Sequence, residues 1–445
     1  MEDKLYAFYL AGRKENEIPN ALYRKYNVKK GLRNEDGTGV RVGLTRIADV
    51  VGYEIRNEEK CDVAGKLYYR GIELRELING YSKAQTYGYE ETCFLLLFGY
   101  LPNKAQMKEF CELLRSHYEL PKDFLETKFL QMPGKNIMNR IQQAVLSLYD
   151  YDDKADDTDI SNTLLQGIDI LAKLPSILVY AYQSKLHRYH QESLVIHLAQ
   201  HNLSIAENLL YMLRKDNRYT KLEAQLLDML LIVHADHGGG NNSTFTNVVI
   251  ASTGTDIYAA MVGAIGAMKG PRHGGANMKV RAMLEAVVEK IGYCEEEEVI
   301  CNLINQILDK RFFDGSGLVY GMGHAIYTLS DPRSEVLQSY IEILAKEKQR
   351  MSEYAFYKRF EACAKKVMWE RKHIRISSNV DFYSGFVYDM LGIPQELFTP
   401  LFVLARTVGW LAHNIENKLY DGRIVRPATK YVGELQDYVK MEDRL

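Results

Sequence analysis

Apolar residues recur at three- and four-residue spacing over long stretches of this chain, and little interrupts them. KLEAQLLDMLLIVHAD (Lys221 to Asp236) keeps that spacing throughout, as a helix with a buried face requires. YEETCFLLLFGYLP (Tyr89 to Pro102) reads as a compact apolar helix stopped by Gly99 and Pro102. With only 10 prolines in 445 residues, long helices face few breaks, so the expected fold class is all-α. One exception lies between Gly39 and Leu77. There GVRVGLTRIADVVGYE and GKLYYRGIELREL set β-branched and aromatic residues around turn signals, which predicts a small β-hairpin and little strand elsewhere. A chain of this length exceeds what one core usually organises, so two domains are expected.

Charge narrows the partners. The 56 basic and 58 acidic side chains nearly cancel and neither sign forms a long block, so nothing points to nucleic acid or an anionic membrane. A small charged metabolite fits. Cys61, Cys93, Cys111, Cys294, Cys301 and Cys363 form no CxxC and no regular ladder, which argues against a zinc ribbon or a disulfide framework and for a reducing cytoplasm. MEDKLYAFYLAGRKENE carries charges within and after its short apolar run and lacks a small-residue cleavage site, so it does not read as a signal peptide. No uncharged apolar run reaches bilayer-spanning length. DYDDKADDTD (Asp150 to Asp159) reads as a solvated connector or a helix start, because it lacks the glycine and terminal glutamate of a calcium loop. EEEE at Glu295 to Glu298 reads as the first turn of a helix, where negative charge is favoured.

Four short segments concentrate histidine, arginine, aspartate and glycine: HADHGGGNNS (His234 to Ser243), KGPRHGGAN (Lys269 to Asn277), GMGHAIYTLSDPR (Gly321 to Arg333) and NVDFYSG (Asn379 to Gly385). Each falls at a turn or a helix end, where a rigid scaffold can aim side chains. Singly, each has a plain reading. His234 and His237 could satisfy backbone carbonyls or hold a metal, Asp381 could cap a helix, and Gly321 to Gly323 could be a turn.

Together, the segments resemble the citrate synthase family. HADH, GPRHGGAN, GMGH with DPR, NVD and the late Arg-Pro pair occur in that family's order and with suitable gaps, FLLLFGYLP adds a scaffold match, and the likeness runs from the hairpin near Gly43 to RPATKYVGE. The resemblance implies a two-domain helical enzyme that joins the methyl carbon of acetyl-CoA to the ketone of oxaloacetate and hydrolyses the thioester. It implies a large domain at 1–275 and 389–445 and a small domain at 276–388. Acetyl-CoA would be a co-substrate, with no tightly bound cofactor and no metal. A carboxylate cannot remove the methyl proton unaided, since a gap of even ~10 pKa units is ~14 kcal/mol. By resemblance Asp381 is the base, His273 holds the thioester oxygen and His324 polarises the ketone. A helix beginning just after Gly274 and Gly275 would favour neutral imidazole at His273. Arg333, Arg406 and Arg426 match the arginines that grip the two carboxylates, with Arg426 completing the site of the other subunit in a homodimer. His237 contacts the same substrate, and Gly321, Met322 and Gly323 lie where the family's loop meets CoA.

The pattern is broken in places. Thr328 and Leu329 stand where relatives often carry basic residues towards CoA phosphates, Gly238 replaces a frequent glutamate, and Ala428 follows Arg426-Pro427 in place of a second arginine. A 2-methylcitrate synthase, which uses propionyl-CoA, has the same catalytic groups, and one methylene is worth only ~1–3 kcal/mol in an apolar pocket. A metal-dependent hydrolase built on His234 and His237 is the rival of another class. It lacks an HExxH arrangement and leaves the three arginines without a task.

Overall fold

The computed structural model describes the chain except Met1, Gly12, residues 14–16, Glu35, Asp36, Glu58, Gln85, Asp421 and Leu445. It forms two compact units, one of Met1–Val42 with Val425–Leu445 and one of Gly43–Ile424. The first holds helices α1 (Glu2–Ala11) and α2 (Asn20–Lys25), with Arg426 on its exposed C-terminal segment.

The second unit opens with the expected hairpin. Strand β1 (Ala48–Arg56) pairs antiparallel with β2 (Glu59–Tyr69), in register from Ala48 opposite Tyr69 to Arg56 opposite Glu59, with a shift between Val51 and Tyr53. A two-residue β3 (Ile72–Glu73) folds back on β2. The sequence reading carried the hairpin to Leu77, but from Leu74 the chain is helical. In α3 (Leu74–Ala84), Leu74, Leu77, Ile78 and Tyr81 fall on one buried face, and that spacing overrides local strand preference.

Then come α4 (Tyr89–Phe98), α5 (Lys104–Ser116), α6 (Ile137–Ser147), α7 (Ile160–His190), α8 (Ile205–Leu213), α9 (Lys221–His234), α10 (Asn242–Ala251) and α11 (Ile257–Lys269). Helices α12 (Ala276–Ile291), α13 (Glu297–Leu308), α14 (Pro332–Glu347), α15 (Met351–Lys372), α16 (Val380–Met390) and α17 (Phe398–Leu419) complete the unit. Local chemistry sets their ends. Gly99 at φ 86° stops α4, Thr220 and Glu223 form a capping box at the start of α9, and Asp159 caps α7. The EEEE run enters α13 at Glu297.

Helix α17 is the axis of the core. Every residue from Phe398 to Glu416 is buried, and the helix packs on α4, α7, α9, α10 and α11. A helix buried all round has no solvent face for its polar residues. Arg406, His413 and Glu416 therefore sit inside the protein. Around α12 to α16 a second set of contacts joins α12 and α14 to α16, and α13 and α14 to α15.

The hairpin braces the chain between α13 and α14. Gly65 N–H donates to Ser330 Oγ at 3.1 Å, and a Cβ on Gly52 or Gly65 would overlap the carbonyl of Ile326 or Ser330. We expect Gly65→Ala to destabilise the protein by about 1–3 kcal/mol through overpacking, read as a lower urea midpoint. An unchanged midpoint would mean that this contact carries no load.

Candidate active site

Four helix ends bring the polar residues together. At the end of α9, His234 Nδ1 lies 2.7 Å from Leu230 O, so the plain reading holds for this residue. The chain then turns at Asp236, whose Oδ2 accepts Gly238 N–H at 2.8 Å. Tyr69 of β2 pins the turn, its hydroxyl 2.9 Å from Ile232 O and accepting Asp236 N–H at 3.3 Å. His237 follows, buried, with Nε2 unpaired.

From α17, Arg406 donates through Nε to His234 O at 2.6 Å, and its guanidinium lies 4.9 Å from the Phe402 ring centre. Both terminal nitrogens are buried without a partner. Phe402 also meets His234 and His273 edge-on, at centroid distances of 4.6 and 6.2 Å. His273 stands just before α12, and Gly274 is required behind it, because a Cβ there would lie 2.5 Å from Met268 O. The ring's Nε2 is 3.0 Å from Ser243 Oγ, which accepts Trp410 Nε1–H at 3.2 Å.

The GMGH and NVD segments lie side by side. Gly321 and Gly323 take φ of +79° and +92°, which suits glycine. Gly323 N–H donates to Ser377 O at 2.7 Å and Asn379 N–H to Gly321 O at 2.9 Å, with a bridge between Met322 and Ser378. His324 Nδ1 accepts the N–H groups of Ile326 and Tyr327 at 3.0 and 3.2 Å. An acceptor cannot hold the proton of a neutral ring, so that proton sits on Nε2. The rings of His324 and His237 are 5.2 Å apart. Arg333 is buried and gives a fork of two hydrogen bonds to Asp331, at 3.0 and 2.7 Å.

Asp381 is not the cap of α16. Asn379 takes that place, accepting Asp381 N–H at 3.0 Å, and frees the Asp381 carboxylate. Burial pushes Asp381 up to about 6; Asp331 adds to the rise, while Arg333 and Arg406 oppose it. The histidines shift the other way. Burial and then the Arg406 charge push His273 down to about 4, and burial with Arg333, His324, Arg406 and His273 holds His237 well below its ordinary value. Burial also lowers Arg406 to about 10, which still leaves it charged near neutral pH. The expected helix start beside His273 is present, but the causes of its shift are burial and the Arg406 charge.

His237, His273, His324, Arg333, Arg406 and Asp381 thus share one electrostatic neighbourhood. Arg426 lies in the other unit, exposed. The sequence reading missed Ser243, Asp331 and Phe402. Asp331 had a signal in the Asp-Pro pair opening a helix, whereas nothing in the spacing ties Ser243 to a ring 30 residues away.

A desolvated cluster of unpaired guanidinium donors, neutral imidazoles and one weakly acidic carboxylate, on a mostly helical frame, defines an acid–base enzyme for an anionic substrate. The model of the citrate synthase C-terminal domain matches residues 36–428. The citrate synthase of Deinococcus radiodurans is 36% identical over 94% of this chain and 99% of its own. The 2-methylcitrate synthase of Shewanella oneidensis is 31% identical over 82% and 88%. The crystal structure of the Thermotoga maritima citrate synthase superposes with a TM-score of 0.71 at 29% identity, covering 94% of this chain and 99% of that one. The chain belongs to the citrate synthase family.

The raised Asp381 value has a consequence for stability. An acid whose folded value lies above its ordinary 3.8 destabilises the native state where it must ionise, above about 6. The deficit is about 2–3 kcal/mol, shrinks as pH falls through 6 and is gone only below the ordinary value, at about pH 3. Asp381→Asn should therefore unfold at higher urea than the wild type at about pH 7.5 and at the same urea at about pH 3. A difference that does not depend on pH would sink the assignment.

Proposed function

We propose that this chain condenses acetyl-CoA with oxaloacetate and water to give citrate and CoA. The observation that carries the reading is the pair of buried, unpaired terminal nitrogens of Arg406 in a neighbourhood that also holds neutral imidazoles and Asp381. Two parallel buried donors are satisfied best by a carboxylate. Arg333 adds a second cation, and His237 offers a polar edge to the same substrate. His324 Nε2–H donates to the ketone oxygen.

Asp381 takes a proton from the acetyl methyl group. As the enol forms, His273 steadies its oxygen by a hydrogen bond from Nδ1–H. That tautomer requires the Ser243 hydroxyl, which donates to Asn241 Oδ1 at 2.9 Å, to turn its hydrogen bond onto Nε2 at 3.0 Å. The enol carbon then attacks the ketone, His324 supplies the proton, and water hydrolyses the thioester. With His273 lowered to about 4, the ring acts through a hydrogen bond, as uncharged imidazole.

The wider reading assigns Gly321 to Gly323 to CoA, a small domain at 276–388 that closes over oxaloacetate, and a homodimer in which Arg426 serves the partner's site. CoA is a substrate here, and no tightly bound cofactor is needed. Six free cysteines suit a reducing cytoplasm. The 2-methylcitrate synthase of Shewanella oneidensis supports a second reading with propionyl-CoA, and kcat/KM for the two thioesters separates them.

Thiol release from acetyl-CoA should require oxaloacetate, and Asp381→Asn or His273→Ala should each lower kcat by about 100-fold or more. Because only the anion of Asp381 accepts the proton, kcat/KM should fall as pH drops below about 6. Bound oxaloacetate, being anionic, can only move that limit upwards. Thiol release that ignores oxaloacetate would reject the reading. For the shared site, Arg426→Ala and His273→Ala protomers, each poorly active alone, should regain activity when their subunits exchange. Failure to do so would remove Arg426 from the partner's site.

A further inference from the structure

Arg406 poses a second question. Asp236 is the charge that most supports the buried guanidinium, yet the two form no salt bridge. Both are fully buried, and both have polar atoms to spare: Oδ1 of Asp236 lacks a partner, as do the two terminal nitrogens of Arg406. Two such groups left apart need a restraint.

Part of the restraint is direction. Side chains on a helix lean towards its N-terminus, so the guanidinium extends back over Phe402. Asp236 packs the other way, one turn further along α17 at Gly409, where a Cβ would lie 2.5 Å from Oδ1. The rest is a clamp. Asp236 Oδ2 faces His413 Nε2 at 3.3 Å. On the far side of the ring Nδ1 lies 3.7 Å from Glu416 Oε2, and Glu416 Oε1 accepts Arg46 N–H at 2.6 Å. His413 and Glu416 are buried, so no water competes for these contacts.

We infer that His413 is a positioning residue for oxaloacetate recognition: it holds Asp236 back from Arg406, so that the guanidinium's two terminal nitrogens stay open for a substrate carboxylate. Asp236 lends its field without occupying the site. Released from the ring, the carboxylate keeps only the Gly238 N–H on Oδ2, and turning its unpartnered Oδ1 onto the guanidinium donors would close an internal ion pair that competes with substrate. Oxaloacetate as the ligand rests on the function proposed above; the competition itself applies to any carboxylate at Arg406.

The test compares His413→Leu, His413→Gln, Glu416→Gln and the double variant His413→Leu/Asp236→Asn, by oxaloacetate kinetics and by calorimetric titration with oxaloacetate alone. His413→Leu should raise KM and Kd about tenfold, with a smaller fall in kcat, whereas glutamine, which keeps a donor for Asp236, should preserve most of the affinity. Adding Asp236→Asn should recover part of the loss, because the internal competitor is gone. A merely structural role predicts the reverse, two lesions in one buried network that add. Glu416→Gln loosens the ring without opening a cavity, should raise KM in the same direction, and serves if the leucine variant does not fold. KM and Kd within about twofold of wild type in the single variants, or a double variant binding no better than His413→Leu, would overturn the inference. If the wild type itself neither binds oxaloacetate nor releases thiol, it is the functional reading that fails, and the control displays that first.

Discussion

The site depends on a guanidinium that has been taken out of water and left incompletely paired. Arg406 belongs to a helix buried on every side, and its charge is supported by the His234 carbonyl, the face of Phe402 and the field of Asp236, to which Asp381 adds. Such a charge is costly to bury. It also governs its neighbours. Arg406 and Arg333 both bear on His234 and His237, and Arg406 on His273, so in a desolvated space a further positive charge is disfavoured at all three rings. Burial first, and then these cations, keep the imidazoles neutral, which is the form that donates a hydrogen bond without adding charge, while Arg406 offers a grip for a carboxylate.

The carboxylates divide along the same lines. Asp331 is committed to Arg333 through two hydrogen bonds and caps α14, and Asp236 is held by the Gly238 N–H and His413. Asp381 differs, since its side chain accepts no hydrogen bond among the described residues and burial raises it to about 6. A carboxylate denied donors is a stronger base than one surrounded by them. Asn379 makes this possible: by capping α16 itself, it relieves Asp381 of the duty that an aspartate in a helix's first turn usually performs.

Much of this was legible in the chain. Helical periodicity marked α4 and α9, and Gly99 marked a helix end. The four His/Arg/Asp/Gly segments proved to be helix ends that meet. What could not be read is what depends on pairing across long separations. Ser243 approaches His273 only because α10 and the turn before α12 are brought together, and Trp410 reaches the same hydroxyl from α17, 167 residues away. The start of α3 was misread for the opposite reason, since Ile72 and Glu73 do pair as strand and only the burial of Leu74, Leu77 and Ile78 shows where the helix takes over. For Asp381 the two-residue distinction between cap and first turn is beyond sequence, because Asn379 and Asp381 are both good caps.

The hairpin explains why a helical enzyme retains a sheet at all. Tyr69 of β2 holds the turn that carries Asp236 and His237, while Gly65 and Lys66, a few residues earlier on the same strand, hold Ser330 and the Tyr327 hydroxyl in the chain that carries His324 and Arg333. A strand advances about 3.3 Å per residue and is stiffened by its ladder. Two contacts on one strand therefore act as a spacer between two loops whose helices approach from different directions. The shift in the ladder at Gly52 and the bare backbone at Gly65 let the sheet lie against the Ile326 and Ser330 carbonyls. Helix packing alone fixes neighbouring axes with appreciable scatter. A rigid spacer removes that scatter where His237 and His324 must face each other at 5.2 Å.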